Sequence, residues 1–188
     1  MTRCEWADSS SLNQQYHDEE WGVLVTDDKK LFEFLILEGA QAGLSWELIL
    51  KRREGYRKAF ADFEVKKVAN FSDKKIEKLL QDPGIIRNKL KVRSAVHNAK
   101  LFIEVQREFG SFYNYSMQFV GVKPKINKRQ KMSDYPATTK ESDLFSKDLK
   151  EKGFKFVGST IIYAHMQACG MVNDHLTSCF RYTEINNS

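Results

Sequence analysis

Cys4 and His17 stand near one end of the chain, and His175 and Cys179 near the other, the second pair one helical turn apart. Two thiolates and two imidazoles form the donor set that tetrahedral Zn2+ accepts. A metal shared by both pairs would fasten the terminal segments, 1–22 and 159–182, to each other. Four protein ligands leave no open position, so such a zinc is structural and the chemistry lies elsewhere. Spacing alone leaves open whether these residues bind metal or are ordinary core and surface groups. His165 and Cys169 share the one-turn spacing, but they sit in and just after the apolar run Ile161-Ile162-Tyr163-Ala164-His165-Met166 and read as core.

Glu38 follows the apolar run Leu35-Ile36-Leu37 and precedes Gly39, which points it into semi-buried space. A carboxylate there is costly unless it is paired or hydrogen-bonded. It either meets an arginine, caps a loop or serves a pocket. Tyr16, Trp21 and Trp46, with Trp6, supply aromatic faces on which a flat ligand can stack. Core packing is the ordinary fate of such rings, and by pattern alone Trp6 and Trp21 read as core.

The third feature is basic. Pro83-Gly84 makes a tight turn between two amphipathic stretches, and Arg87, Lys89, Lys91 and Arg93 follow without an intervening acid. A positive φ at Gly84 would let consecutive backbone N–H groups face outward beside a helix start, a device that grips a phosphate without reading bases. An ordinary helical hairpin is the alternative. Lys123, Lys125, Lys128, Arg129 and Lys131 crowd a stretch without acids between Phe109 and Ser133. Two such clusters read as phosphate contacts.

These groups must be positioned by helices. Thr26 is expected to cap a helix through Leu31–Leu37, Gly39 and Gly43 to loosen the chain, and Ser45 to cap the next helix from Trp46. Ser72 precedes Ile76 and Leu79. Val92, Ala95, Val96, Ala99, Phe102 and Ile103 keep helical spacing. Thr138-x2-Glu141 reads as a capping box, and Gly153 as a stop. Strand-like alternation is confined to Lys155-Phe156-Val157. The expected fold is all-α, one unit over 1–188 with a helix-hairpin-helix within 73–103. At 188 residues the chain can bury a sizeable core, and 41% hydrophobic with 29% charged residues is ordinary for a globular protein. Three cysteines cannot all pair, which suits a reducing compartment, and neither a signal region nor a membrane-length apolar run is present, so a cytoplasmic protein is expected. Net charge is +5. No feature demands an oligomer, and a monomer is expected.

Arg3-Cys4-x-Trp6, Tyr16-His17-Asp18-x-Glu20-Trp21-Gly22, Leu37-Glu38-Gly39-x-Gln41-Ala42-Gly43-Leu44-Ser45-Trp46, Gly153-Phe154-Lys155-Phe156-Val157-Gly158 and Met166-Gln167-Ala168-Cys169-Gly170-x-Val172-Asn173-Asp174-His175 together resemble the bacterial 3-methyladenine DNA glycosylase I family. That family is a branch of the helix-hairpin-helix DNA glycosylases. The resemblance runs from Arg3 to Cys179. It implies a helix-hairpin-helix glycosylase fold, one structural zinc on Cys4, His17, His175 and Cys179, and excision of 3-methyladenine from alkylated double-stranded DNA. It also implies that Glu38 meets the amine edge of the base, with Tyr16 and Trp46 in the pocket. The catalytic Asp that most of the superfamily carries beyond the hairpin is absent: no Asp occurs from Pro83 to Ser133. Asn13 stands where the family often has an aromatic residue, and Ala164 where a small hydroxyl is common. Gly43 and Leu44 are expected to fill the gap left by a flipped nucleotide, with Leu44 in the core as the alternative, while Gly84, Arg87 and Lys89 hold the backbone. Two rival functions stand beside this one. A non-enzymatic, zinc-stapled DNA-binding module leaves Glu38 and the aromatic cluster without a task, and a zinc hydrolase needs an open coordination position.

Overall fold

Short polar side chains start most of the helices, each accepting a backbone N–H that the first turn leaves unpaired. The computed structural model describes residues 1–187. Ser10 caps α1 (Ser11–Glu19), Asp27 caps α2 (Asp28–Gln41) and Ser45 caps α3 (Trp46–Ala59). After α4 (Val65–Ala69), Ser72 caps α5 (Asp73–Leu79) and Asn88 caps α6 (Lys89–Phe109). Ser111 caps α7 (Phe112–Met117) and Thr139 caps α8 (Lys140–Glu151). The series ends with α9 (Ser159–Ala168) and α10 (Phe180–Asn186). Two caps differ from expectation by one residue. Asp27 replaces Thr26 and accepts from Lys30 N at 2.8 Å, and the capping box joins Thr139 to Ser142, where Thr138 and Glu141 were expected. In each case two adjacent residues have side chains able to cap.

The all-α expectation holds, with two short strands, β1 (Lys125–Ile126) and β2 (Val172–Asn173), paired in parallel. Lys155-Phe156-Val157 is a bend in which Phe156 has φ +55. Asn98 holds it from both sides, accepting from Lys155 N and donating to its carbonyl.

Helix α2 runs through the middle of the molecule. Every residue from Leu31 to Ala40 is buried, Glu33 and Glu38 among otherwise apolar neighbours, and a helix buried on all sides is a core helix. The helix continues through Gly39 to Gln41, so Gly39 does not loosen the chain. A side chain there would press on Phe156 Cβ at 3.3 Å. Around α2 lies an aromatic core in which Phe102 and Phe112 stack at 4.1 Å and Phe119 and Phe145 at 4.5 Å. Complete burial, as for Phe102, Phe112 and Phe145, contributes about 1.5–3 kcal/mol per ring, and Phe119 is partly buried. His165 and Cys169 belong to this core, both fully buried. Desolvation pushes His165 down to about 4. No helix among the described residues is long and apolar enough to cross a membrane.

Candidate active site

Two neighbouring features share one aromatic wall. The first is a cavity of about 530 Å3 lined by Trp6, Asn13, Tyr16, Trp21, Glu38 and Trp46, with Ser9, Gln41, Ser45, Glu47, Met132, Tyr135, Ala164 and Gln167 completing it. Helix α1 carries Asn13 and Tyr16 one turn apart, α2 carries Glu38 near its end, and Ser45 starts α3 so that Trp46 is its first residue. The rings of Tyr16 and Trp46 lie 5.3 Å apart, and those of Trp6 and Trp21 5.1 Å apart, edge to face.

Glu38 is 4% exposed, and no hydrogen bond or ion pair reaches its carboxylate among the described residues. The nearby buried arginine is already engaged: Arg53 donates to Glu33 at 2.7 Å and grips both oxygens of Glu20. Desolvation without compensation pushes Glu38 up to about 8. The same burial, with Glu38 nearby, lifts the Tyr16 phenol well above its usual range. Two further polar atoms of lining residues lack partners: Asn13 Oδ1 and Trp46 Nε1. The orientation of the Asn13 amide follows from its neighbours, because Ser9 Oγ donates to the Trp6 carbonyl and so accepts from Asn13 Nδ2 at 2.7 Å. A buried polar atom left unpaired costs about 1–3 kcal/mol. The cavity thus combines flat aromatic faces with polar groups that have no protein partner among the described residues.

Behind Trp6 and Trp21 lies the second feature. Cys4, His17, His175 and Cys179 are all buried, with one donor atom from each within 4.8 Å of the others. Cys4 Sγ lies 3.7 Å from His175 Nδ1, and Cys179 Sγ lies 3.4 Å from His17 Nε2 and 3.6 Å from His175 Nδ1. A tetrahedral ion with bonds of about 2.0 Å to nitrogen and 2.3 Å to sulfur requires edges of about 3.5 Å. The other ring nitrogens are engaged, His17 Nδ1 by Asp18 at 2.8 Å and His175 Nε2 by the Trp21 carbonyl at 2.9 Å. These contacts turn His17 Nε2, which also accepts a long bond from the Cys4 N–H at 3.4 Å, and His175 Nδ1 toward the sulfurs, the usual arrangement behind a metal-bound histidine. Arg3 forks onto Asp18 in turn. The group fits a metal ion, and the rings of Trp21 and His175, 4.6 Å apart, link it to the cavity wall.

The hairpin differs from expectation. Gly84 does not have positive φ. Its N–H is taken by Asp82 Oδ1 at 2.7 Å, and the Ile86 N–H by the Tyr56 hydroxyl at 3.3 Å. Glycine is required for space, because Gly55 of α3 crosses Gly84 backbone to backbone and a Cβ on Gly55 would overlap the Gly84 carbonyl. Arg87 and Lys89 are exposed beside the start of α6, with no ion pair among the described residues. Lys91 is turned inward onto the carbonyls of Ala40 and Ala42, and Arg93 pairs with Asp73 and Glu77. The other basic cluster is also partly spent. Lys125 meets Glu141, and Arg129 meets the fully buried Asp174, which also accepts from Tyr163, Gln167 and Asn127. Asp134 closes a turn onto the Gln130 and Lys131 N–H groups. Gly43 and Leu44 lie in the exposed loop between α2 and α3, with Leu44 37% exposed and outside the core.

Several lining residues carried no signal in sequence. Met132 and Tyr135 arrive from a loop distant along the chain, tied down where Tyr135 donates to the Asp174 carbonyl at 2.7 Å. Asp18 and Gln167 lie inside the matching strings without drawing attention as single residues.

Comparison with known proteins gives this geometry a family. The chain is 46% identical to DNA-3-methyladenine glycosylase 1 of Escherichia coli over 182 residues, 97% of each chain. It is 42% identical to the DNA-3-methyladenine glycosylase of Haemophilus influenzae, covering 95% of this chain and 96% of that one. Its fold matches a 3-methyladenine DNA glycosylase I from Staphylococcus aureus, solved for its recognition of 3-methyladenine, with a TM-score of 0.92 at 35% identity over 96% of both chains. The family model for methyladenine glycosylase matches residues 6–182. The chain belongs to the methyladenine glycosylase family.

Proposed function

We propose that this protein is a DNA repair glycosylase that takes 3-methyladenine out of alkylated double-stranded DNA and hydrolyses its N-glycosidic bond. The observation that carries the reading is Glu38, an unpaired carboxylate in a cavity walled by Tyr16, Trp46, Trp6 and Trp21. A base must leave the stack before it can enter such a pocket, where aromatic faces and a few polar groups hold it.

Charge provides the selection. Adenine methylated at position 3 and still joined to deoxyribose is a cation, whereas ordinary adenine is neutral. A cation stacks favourably on Trp and Tyr faces and meets the Glu38 carboxylate in a poorly solvated space. Burial without a partner pushes Glu38 up to about 8 and so favours its protonated form; the arriving cation displaces that proton. The glycosidic bond of the cation is already weak. It breaks with its electron pair moving to the base, which leaves neutral. Positive charge passes to the sugar, a water oxygen bonds to C1′, and that water releases a proton. Glu38 remains negative while the charge moves, and the rings hold the base in place. No activated nucleophile is needed, which suits a site without an Asp beyond the hairpin.

Arg87 and Lys89 hold the backbone beside the turn, where Gly84 supplies close approach to α3 rather than a free N–H, and Gly43 and Leu44 enter the space left by the base. Zinc is the metal proposed for Cys4, His17, His175 and Cys179, because thiolate and imidazole in a closed tetrahedron suit it. It fixes the terminal segments and the Trp6–Trp21 wall. A cytoplasmic monomer is proposed. A DNA-binding module without activity would leave the unsatisfied cavity unused, and four buried ligands leave no water position for a zinc hydrolase. The test is release of free bases from methylated DNA by the unaltered chain and by Glu38→Gln. Selective release of 3-methyladenine, lost in the folded variant, supports the assignment. Release undiminished by Glu38→Gln removes the role of Glu38. No release by a folded, metal-loaded chain that binds DNA removes the enzyme.

A further inference from the structure

Lys91 sits in the first turn of α6, just after the hairpin, where its spacing from Arg87 and Lys89 suggests a phosphate contact. Its side chain goes elsewhere. Nζ donates to the Ala40 carbonyl at 2.8 Å and to the Ala42 carbonyl at 2.6 Å, and burial lowers its pKa. Ala40 is in the last turn of α2, two residues beyond Glu38. An ammonium is well placed there, since a helix C-terminus carries unpaired carbonyls and the negative end of the dipole.

Ala42 gives the contact its consequence. Ala42 has φ −41 and ψ 115, Gly43 has φ +77, and Leu44 N–H bonds to the Gln41 carbonyl at 2.6 Å. These angles describe a type II turn, which needs glycine at its third position. Type I and type II turns differ by rotation of the peptide between the two central residues, here Ala42 and Gly43. A planar trans peptide directs its N–H opposite to its carbonyl. With the Ala42 carbonyl held by Lys91, the Gly43 N–H is directed away from α6. It has no protein acceptor among the described residues, and apart from Gly43 and its two chain neighbours no atom lies within 4 Å of where a Gly43 Cβ would be.

We propose that Lys91 is a positioning residue that ties the hairpin helix to the Gln41–Leu44 turn, presetting the orientation in which Gly43 and Leu44 meet DNA. The proposal rests on the glycosylase reading above. It gives the two DNA-facing elements a fixed mutual geometry: when the hairpin takes hold of the backbone, the turn is already aimed. Gln41 and Ser45 flank the turn and line the base cavity, so the same strut borders the pocket without entering it.

The test compares the metal-loaded chain with Lys91→Met, which keeps the aliphatic stem, and Lys91→Arg, which restores a cation with several donors. Three quantities are read: binding of free 3-methyladenine by tryptophan fluorescence, single-turnover excision from methylated duplex, and the salt slope of duplex affinity. For Lys91→Met, base binding and salt slope stay near those of the unaltered chain while saturated excision falls at least about tenfold. Lys91→Arg recovers part of it. A salt slope reduced by about 0.9 makes Lys91 a phosphate contact and overturns the proposal. So does undiminished excision, or base binding that falls in step with excision, which marks a purely structural lysine. Absence of excision by the unaltered chain overturns the glycosylase reading before any variant is compared.

Discussion

Gly55 and Gly84 meet with no side chain between them, so that helix α3 is the seat on which the hairpin rests. A Cβ on Gly84 would lie 3.4 Å from Gly55 Cα, and one on Gly55 would run into the Gly84 carbonyl. Arg52 reinforces the seat from α3 by donating to the Pro83 carbonyl, and Tyr56 does so through the Ile86 N–H. Because the obstruction is backbone, Gly55→Ala forces the hairpin away from α3 at a cost of about 1–3 kcal/mol. Urea unfolding monitors that loss as a lower midpoint. Duplex affinity falls as well, while binding of free 3-methyladenine is retained, since the cavity proposed for it lies at the other end of α3.

Glu38 gives stability and activity opposite pH dependences. Its folded pKa of about 8 lies above its usual 4.5, so between these values the folded state holds a proton that the unfolded state has lost. The associated stability is fully present below about pH 4.5 and is lost as pH rises through about 8, a change of at most a few kcal/mol. Glu38→Gln abolishes that slope, so the variant gains stability relative to the unaltered chain between about pH 5 and 8. Thermal unfolding of the metal-loaded proteins across that range measures it. Excision runs the other way. An arriving cation needs the carboxylate, so kcat/KM rises with pH and levels above about 8. A flat profile below pH 8 would mean that the cation does not meet this group.

Much of this arrangement was legible because its signals are local. Caps and the apolar run of α2 lie within a few residues of the elements they define, whereas spacing alone left the terminal cysteine and histidine pairs open between a metal site and ordinary packing. What stayed hidden is the partner of each charged group across the fold. In sequence Lys91, Arg93, Lys125 and Arg129 look as free as Arg87 and Lys89, yet the first four are engaged by Ala40 and Ala42, Asp73, Glu141 and Asp174. Glycine is ambiguous in the same way. Gly43 is needed for positive φ and Gly84 for close approach, and one-letter code does not separate the two reasons. Tyr135 was unreadable as a lining residue because long-range ties, the β1–β2 pairing and the Asp174 network, bring its loop to the cavity.

Metal removal should act through the cavity wall. Phe180 N–H bonds to the Thr2 carbonyl at 3.0 Å, and the four-residue cluster spans the same two terminal segments. Stripping the ion leaves two thiols and two imidazoles facing one another in a buried space, with the Trp6–Trp21 wall resting on them. Elemental analysis should find one zinc per chain. Chelation should lower the thermal midpoint by about 10 °C or more, since each kcal/mol shifts a chain of this size by about 2–4 °C. Cys179→Ser should reproduce the loss. If excision instead stops at a temperature where the stripped protein is still folded and its cavity still binds 3-methyladenine, the ion has a role in the chemistry.

Arg87 and Lys89 are exposed cations without an ion pair among the described residues, and they flank the N-terminus of α6, where the Lys89 and Leu90 N–H groups lack hydrogen-bond partners. Each phosphate that such a side chain neutralises releases counterions. Removing one contact should therefore lower the slope of log affinity against log salt by about 0.9 and weaken binding to all duplex sequences alike. Arg87→Ala and Lys89→Ala should each show this, with folding and the affinity for free 3-methyladenine unchanged. Arg93→Ala and Arg129→Ala should leave the slope alone, because their cations are spent on Asp73 with Glu77 and on Asp174; Arg129→Ala should cost stability, since it leaves a fully buried carboxylate without its counter-charge. Salt titrations of duplex affinity separate the two pairs. Equal slopes for all four variants would mean that the ion pairs open on DNA and that the basic face extends beyond the hairpin.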